Sequence, residues 1–158
     1  MSDYMFMLEN HLTAPQSRVV SELQTAAGEV NLNLFLTGGA VRDMLGGFPI
    51  RDLDFSVEGN PSKLVKTVAH RTGAEIVHSD ESRKAYEVLF PAGVRAEIAM
   101  ARQERFSKPG ARPQVSPATI HEDLRSRDFF RQCARPFIEP CVSRPAARSD
   151  QWTWRPRA

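Results

Sequence analysis

The chain has 158 residues, one domain's worth, with a net charge of +2 at pH 7 and 41% hydrophobic residues. That balance supports a real core, permits a nucleic-acid or nucleotide partner without arguing for one, and leaves no apolar run near the ~20 residues of a membrane span. The two cysteines, Cys133 and Cys141, and four scattered histidines make no zinc site.

The opening run MSDYMFMLENHL carries acids and no basic n-region, so a signal peptide is not expected and a cytoplasmic location is the default. TAPQSRVVSELQTAAGEV reads as a helix, with Thr13 as its cap, Pro15 in its first turn and an apolar face of Val19, Val20, Leu23 and Ala26 or Ala27. NLFLT is a short buried strand broken by Gly38 and Gly39. AVRDML is a short helix stopped by Gly46, Gly47 and Pro49. DLDFSV alternates as a strand, Asn60-Pro61 opens the helix SKLVKTVAHRT, and Gly73 ends it. AEIVH, AYEVLF and VRAEIAM are three further strands, the last two joined by PAG. ARQERFSKPGARPQVSPA reads as a long polar loop with three prolines. TIHEDLRSRDF begins a helix through the capping-box pair Thr119 and Glu122. The order implies a mixed α/β (α+β) domain, its sheet partly covered by helices. No internal repeat is present.

Four features carry chemistry. Asp52 and Asp54 stand two apart in a strand, so their carboxylates share a face and repel one another. A cation between them removes that penalty, and Mg²⁺ suits one or two carboxylates plus substrate phosphates. The plainer alternative is a solvated Asp-x-Asp on an exposed face. Gly38 and Gly39, between a strand and a helix, let backbone N–H groups approach a phosphate; a tight turn needing positive φ is the competing explanation. Arg42 can reach the same phosphates, or it can pair with Asp43 or Asp52. Glu97, in a later strand, supplies a third carboxylate if that strand neighbours Asp52–Asp54, and is otherwise an ordinary outward-facing residue.

Taken in order, GGAVRD, DLDF, EIAMARQERFSKPGARPQV and HEDLRSRDF closely resemble the head domain of the class II tRNA nucleotidyltransferase and bacterial poly(A) polymerase family, over roughly Leu34 to Phe129. The resemblance implies a nucleotidyltransferase (polymerase-beta-like) fold, a small mixed sheet flanked by helices. It implies attack of an RNA 3′-hydroxyl on the α-phosphate of CTP or ATP, with pyrophosphate leaving and two Mg²⁺ ions assisting. Asp52 and Asp54 match the metal-binding pair. Gly38, Gly39 and Arg42 match the triphosphate segment, and Glu97 matches an acidic position that assists metal binding. Arg127 and Asp128 match a ribose-recognition motif in which Ser126 replaces the usual first arginine. The implied partners are ATP or CTP and the 3′ end of tRNA or another RNA.

After Phe129 the pattern is lost. The family continues as Thr/Ser-Ile/Val-Asn-Ala into neck, body and tail, where the neck selects the base and the body and tail hold the RNA. Here FRQCARPFIEPCVSRPAARSDQWTWRPRA has no period of 2 or 3.6. Codons can be chosen for it such that deleting one T within Phe129–Phe130 restores Ser-Val-Asn-Ala and then LLLDPTNG. The expectation is a head domain over 1–129 and a non-native tail over 130–158, an out-of-frame translation and largely disordered. The tail's arginines, Cys133, Cys141, Trp152 and Trp154 are then placed by chance, not as an RNA-binding arm, a metal or redox pair or stacking platforms. Two rival functions are a minimal nucleotidyltransferase acting on a protein or small molecule, and a non-catalytic binding module. The loop typical of the tRNA enzymes argues against the first, and intact Asp52 and Asp54 against the second.

Overall fold

The structure, a computed structural model, describes residues 3–126. Helix α1 (Asp3–His11) precedes α2 (Ala14–Glu29). Thr13 caps α2 through a full capping box: its hydroxyl accepts the Gln16 N–H, and its own N–H donates to the Gln16 side chain. The expected face, Val19, Val20, Leu23, Ala26 and Ala27, is buried. The α1 helix was not legible as a helix in the sequence, yet it contributes buried Leu8 to the core.

There follow β1 (Asn33–Thr37), α3 (Gly39–Leu45), β2 (Leu53–Glu58), α4 (Ser62–Thr72), β3 (Glu75–Asp80), β4 (Ala85–Leu89) and β5 (Arg95–Met100). The Asn60 side chain accepts the Ser62 N–H where α4 begins. Gly73, at φ 72°, ends α4 in the left-handed region. The strands form one mixed sheet in the order β1-β2-β5-β4-β3, with only the β2–β5 pair parallel.

The sheet has two unequal faces. Leu53, Phe55 and Val57 of β2, Ala96 and Ile98 of β5 and Val88 of β4 pack with α2 and α4 in the main core. On the opposite face Phe35 clusters with Ile120 and Leu124 of α5 (Ile120–Ser126). Among the described residues, α5 covers this face at Phe35. The row Thr37, Asp54, Glu97 and Glu87, aligned across β1, β2, β5 and β4, lies on this second face beyond Phe35.

The polar segment after β5 is not a plain loop. Residues Arg102–Arg105 and Gln114–Pro117 form β6 and β7, an antiparallel two-stranded ribbon. Three prolines and the polar content hid it, but Pro117 stands at a strand end, where a missing N–H costs little. Thr119 caps α5 as expected: its N–H donates to Glu122 at 2.8 Å and its hydroxyl accepts the Glu122 N–H at 3.3 Å.

Candidate nucleotide and metal site

The site is built where β1 turns into α3. Gly38 has φ 69° and ψ −141°, a combination open to glycine and strained for other residues. A second constraint acts at the same position, since a Cβ on Gly38 would lie 2.5 Å from Asp54 Oδ2. The turn therefore closes directly onto a carboxylate, and Gly39 N–H donates to Asp54 Oδ2 at 3.2 Å. The positive-φ turn is the reading of the glycine pair that is observed. Gly38 is a positive-φ turn, and the turn's backbone meets an acidic group. In this structure, Gly39 N–H serves to orient Asp54.

Asp54 lies within β2 and is partly buried, whereas Asp52 is exposed and stands just before the strand. The expectation that both belong to one strand is corrected by one residue at its start: pairing with β1 and β5 begins at Leu53–Ala96 and Asp54–Thr37. Behind Asp54, the Thr37 hydroxyl contacts the Asp54 carbonyl at 3.4 Å and the Ser56 hydroxyl at 3.2 Å. Thr37 and Ser56 are buried, so these polar groups are satisfied inside the sheet.

Glu97 is the register partner of Asp54 across the parallel β2–β5 pair, as the third-carboxylate expectation required. Adjacent strands stand about 4.8 Å apart, so the two positions are immediate neighbours. Glu97 itself is exposed. Among the described residues, no three His, Cys, Asp or Glu side chains are grouped closely enough to hold a metal ion. A divalent cation is commonly held by one or two carboxylates plus ligand oxygens, and Asp52 and Asp54 are donors of that chemical type.

Arg42 realises one of its two alternatives. Its Nε and Nη2 donate to Asp43 Oδ1 at 3.4 and 3.2 Å, and Asp52 is not its partner. The guanidinium still overhangs the turn, because a Cβ on Gly39 would lie 3.3 Å from Arg42 Nη2. In the sequence Asp43 stood out only as a possible partner of Arg42. The signal for its burial was its position three after Ala40 and between Val41 and Met44, on the arc of α3 that is buried.

Beyond Glu97, among the described residues, lies a pocket of about 200 Å³, lined by His78, Arg83, Glu87, Glu97 and Arg102 among others. Its charges are largely paired: Arg95 donates to Glu87 at 2.7 Å and Arg102 to Glu104 at 2.9 Å. At its rim the Ser82 hydroxyl, followed by the Arg83 backbone N–H, holds the Asp80 carboxyl below the ordinary aspartate range. Arg127 and Asp128, expected at the ribose, lie outside the described residues, as does the whole 130–158 tail with Cys133, Cys141, Trp152 and Trp154.

Comparison with known proteins identifies the family of the domain. The family model for the poly A polymerase head domain matches residues 34–130. The chain belongs to that head-domain family. The head domain is 37% identical over 129 residues to the A-adding tRNA nucleotidyltransferase of Halalkalibacterium halodurans, covering 81% of this chain and 30% of that protein. It is 39% identical over 116 residues to the CC-adding tRNA nucleotidyltransferase of Deinococcus radiodurans, covering 73% of this chain and 30% of that protein. Among solved structures, a CCA-adding enzyme in apo form II superposes with a TM-score of 0.71 at 27% identity, over 78% of this chain and 29% of that one. A tRNA nucleotidyltransferase complexed with a primer tRNA and an incoming ATP analogue superposes at 0.54 and 33% identity, over 67% of this chain and 28% of that one. The head domain therefore spans less than a third of the length of these relatives. The nucleotidyltransferase fold expected from the sequence is the fold observed. Among the described residues, no helix is long and apolar enough to cross a membrane.

Proposed function

We propose that this chain is the nucleotide-binding head of an RNA nucleotidyltransferase that transfers CMP or AMP from CTP or ATP to tRNA 3′ ends. The observation that carries the proposal is the turn at Gly38–Gly39, closed onto the Asp54 carboxylate with Arg42 above it. A strand, a glycine turn, an arginine and the Asp54 carboxylate meet here, with Asp52 two residues before Asp54. That set suits a nucleoside triphosphate delivered with Mg²⁺.

Asp52 and Asp54 are the residues that would hold Mg²⁺, which supplies activation of the attacking 3′-hydroxyl and stabilisation of the leaving oxygen. Gly39 N–H keeps Asp54 turned toward the cation position. Arg42 supplies a planar pair of donors for phosphate oxygens. Glu97 adds negative charge beside Asp54 and assists the metal pair. Arg127 and Asp128 are assigned to the ribose by their match to the family motif.

The domain assignment belongs to the same proposal: a head over 1–129, and a tail over 130–158 that arises from a shifted reading frame. Transfer requires the nucleotide and the RNA end to be held together. In the family the base and the RNA are held by the neck, body and tail, so this chain alone is expected to bind Mg²⁺–nucleotide weakly and to turn over little or not at all. Sequencing the gene across the Asp128–Arg131 codons tests the tail: a one-base change restoring Ser-Val-Asn-Ala before a long open frame supports the shift, and an unbroken frame as written refutes it.

The site is tested by calorimetry with Mg²⁺–ATP and Mg²⁺–CTP. Outer groups around a metal ligand are typically worth 10- to 100-fold in metal affinity, so Asp52→Asn with Asp54→Asn is expected to weaken binding by at least about tenfold. Unchanged binding by the double variant would favour a module that binds without this metal pair. Robust addition to tRNA lacking its CCA end by the 158-residue chain would overturn the expected inactivity.

A further inference from the structure

Asp43 is the buried carboxylate beside the site that the proposed chemistry does not use. Its side chain is only 8% exposed, a costly place for a charge unless it is paired. It has two cations, one for each oxygen. Arg42 donates to Oδ1 from both Nε and Nη2, and Arg51 Nε stands 3.9 Å from Oδ2. Both guanidiniums open to solvent, with side chains 56% and 77% exposed. The Asp43 backbone is engaged as well, since its carbonyl accepts the Phe48 N–H at 2.8 Å. Asp43 therefore ties together the α3 turn that carries Arg42, the loop that follows it, and Arg51, the residue directly before Asp52.

We propose that Asp43 is a positioning residue: it aims the Arg42 guanidinium at the triphosphate. The inference rests on the nucleotide-site reading above. Arg42 alone is a flexible side chain over an open turn. Held at two nitrogens by a buried acid, it presents its outer edge in one orientation, and its ordering entropy is spent before the ligand arrives. Arg51 shares the carboxylate's charge, which lets Arg42 lean toward phosphate oxygens without leaving a buried anion uncompensated.

A double-mutant cycle on the full chain tests this, with calorimetric Kd for Mg²⁺–ATP and the thermal midpoint measured on each variant. Losing the interaction of one charged hydrogen-bonding group is worth about tenfold, so Asp43→Asn in the wild-type background is expected to raise Kd by about that factor. In an Arg42→Gln background the same substitution is expected to leave Kd unchanged, because the group that Asp43 positions is gone. A merely structural Asp43 would instead weaken binding by the same factor in both backgrounds, in step with the thermal midpoint, and that result overturns the inference. Should Asp43→Asn not fold, Arg51→Gln reads the same joint from an exposed position. It leaves Arg42 as the sole cation on Asp43 and draws it off the phosphates, so Kd rises severalfold; an unchanged Kd overturns the inference. If Arg42→Gln binds as tightly as wild type, or wild type does not bind Mg²⁺–ATP, the nucleotide-site reading falls and this inference with it. Loss with Arg42→Gln but additive loss with Asp43→Asn sinks only the joint.

Discussion

Gly38 carries two independent demands that no other residue meets together. Its φ of 69° with ψ −141° is a glycine conformation, and its Cα faces Asp54 Oδ2 with no room for a methyl group. Gly47 is a natural control, at φ 74° with nothing within 4 Å of the point where a Cβ would stand. Strained backbone of this kind costs roughly 1–3 kcal/mol, so both Gly38→Ala and Gly47→Ala are expected to lower stability in thermal or urea unfolding. Only Gly38→Ala must also displace the Asp54 carboxylate, so it alone is expected to weaken Mg²⁺–ATP binding. Equal binding by the two variants would show that the close approach at Gly38 does not matter to the ligand. At this scale much was legible beforehand. A glycine pair after an apolar strand and a DLD two elements later are local signals. What could not be read was the contact joining them, because Gly39 and Asp54 are fifteen residues apart and meet only through the β1–β2 register.

Among the elements, α5 begins at a cap on which its first turn depends. Its capping box runs between Thr119 and Glu122, and it buries Ile120 and Leu124 against Phe35 on the second sheet face. Loss of a threonine N-cap costs about 1 kcal/mol, and Thr119→Ala is expected to lower stability by that amount in urea unfolding. Hydrogen exchange of the α5 amides should speed up well before that of β5. If α5 and β5 amides respond equally, α5 is not a separately yielding element. The elements also show where periodicity succeeds and fails. The caps of α2 and α5 and the stop of α4 were local chemistry, and they stood where expected. The α1 helix and the β6–β7 ribbon went unrecognised. A two-stranded ribbon pairs residues up to fifteen apart, such as Arg102 and Pro117, and its strands are too short to show a period.

For the whole molecule, stability resides in the face packed by α2 and α4. Leu64 and Ile98 are fully buried there. Large-to-small substitution at such sites typically costs about 2–5 kcal/mol, so Leu64→Ala or Ile98→Ala is expected to lose that much in chemical denaturation. The ion pairs bridging α2 and α4, from Arg71 to Glu22 and Glu29, sit at the surface. Exposed pairs contribute about 0–1 kcal/mol, and Arg71→Ala should change stability little. An Arg71→Ala loss as large as that of Leu64→Ala would mean that the interhelical charges, not the apolar contact, hold the layers together.

Element types and order over residues 13–100, the caps and the family followed from the chain alone, because each rests on local chemistry: periodicity within one element, a turn residue, or a short motif in order. Tertiary structure decided the rest. It set Asp54 between Thr37 and Glu97 through strand register, placed Asp52 one residue outside the strand, and buried Asp43 between two arginines. Among the described residues, it set α5 over Phe35 on the second sheet face. Register, burial and close approach are relations between residues distant in sequence, and they exist only once the sheet has formed and the helices have chosen their faces.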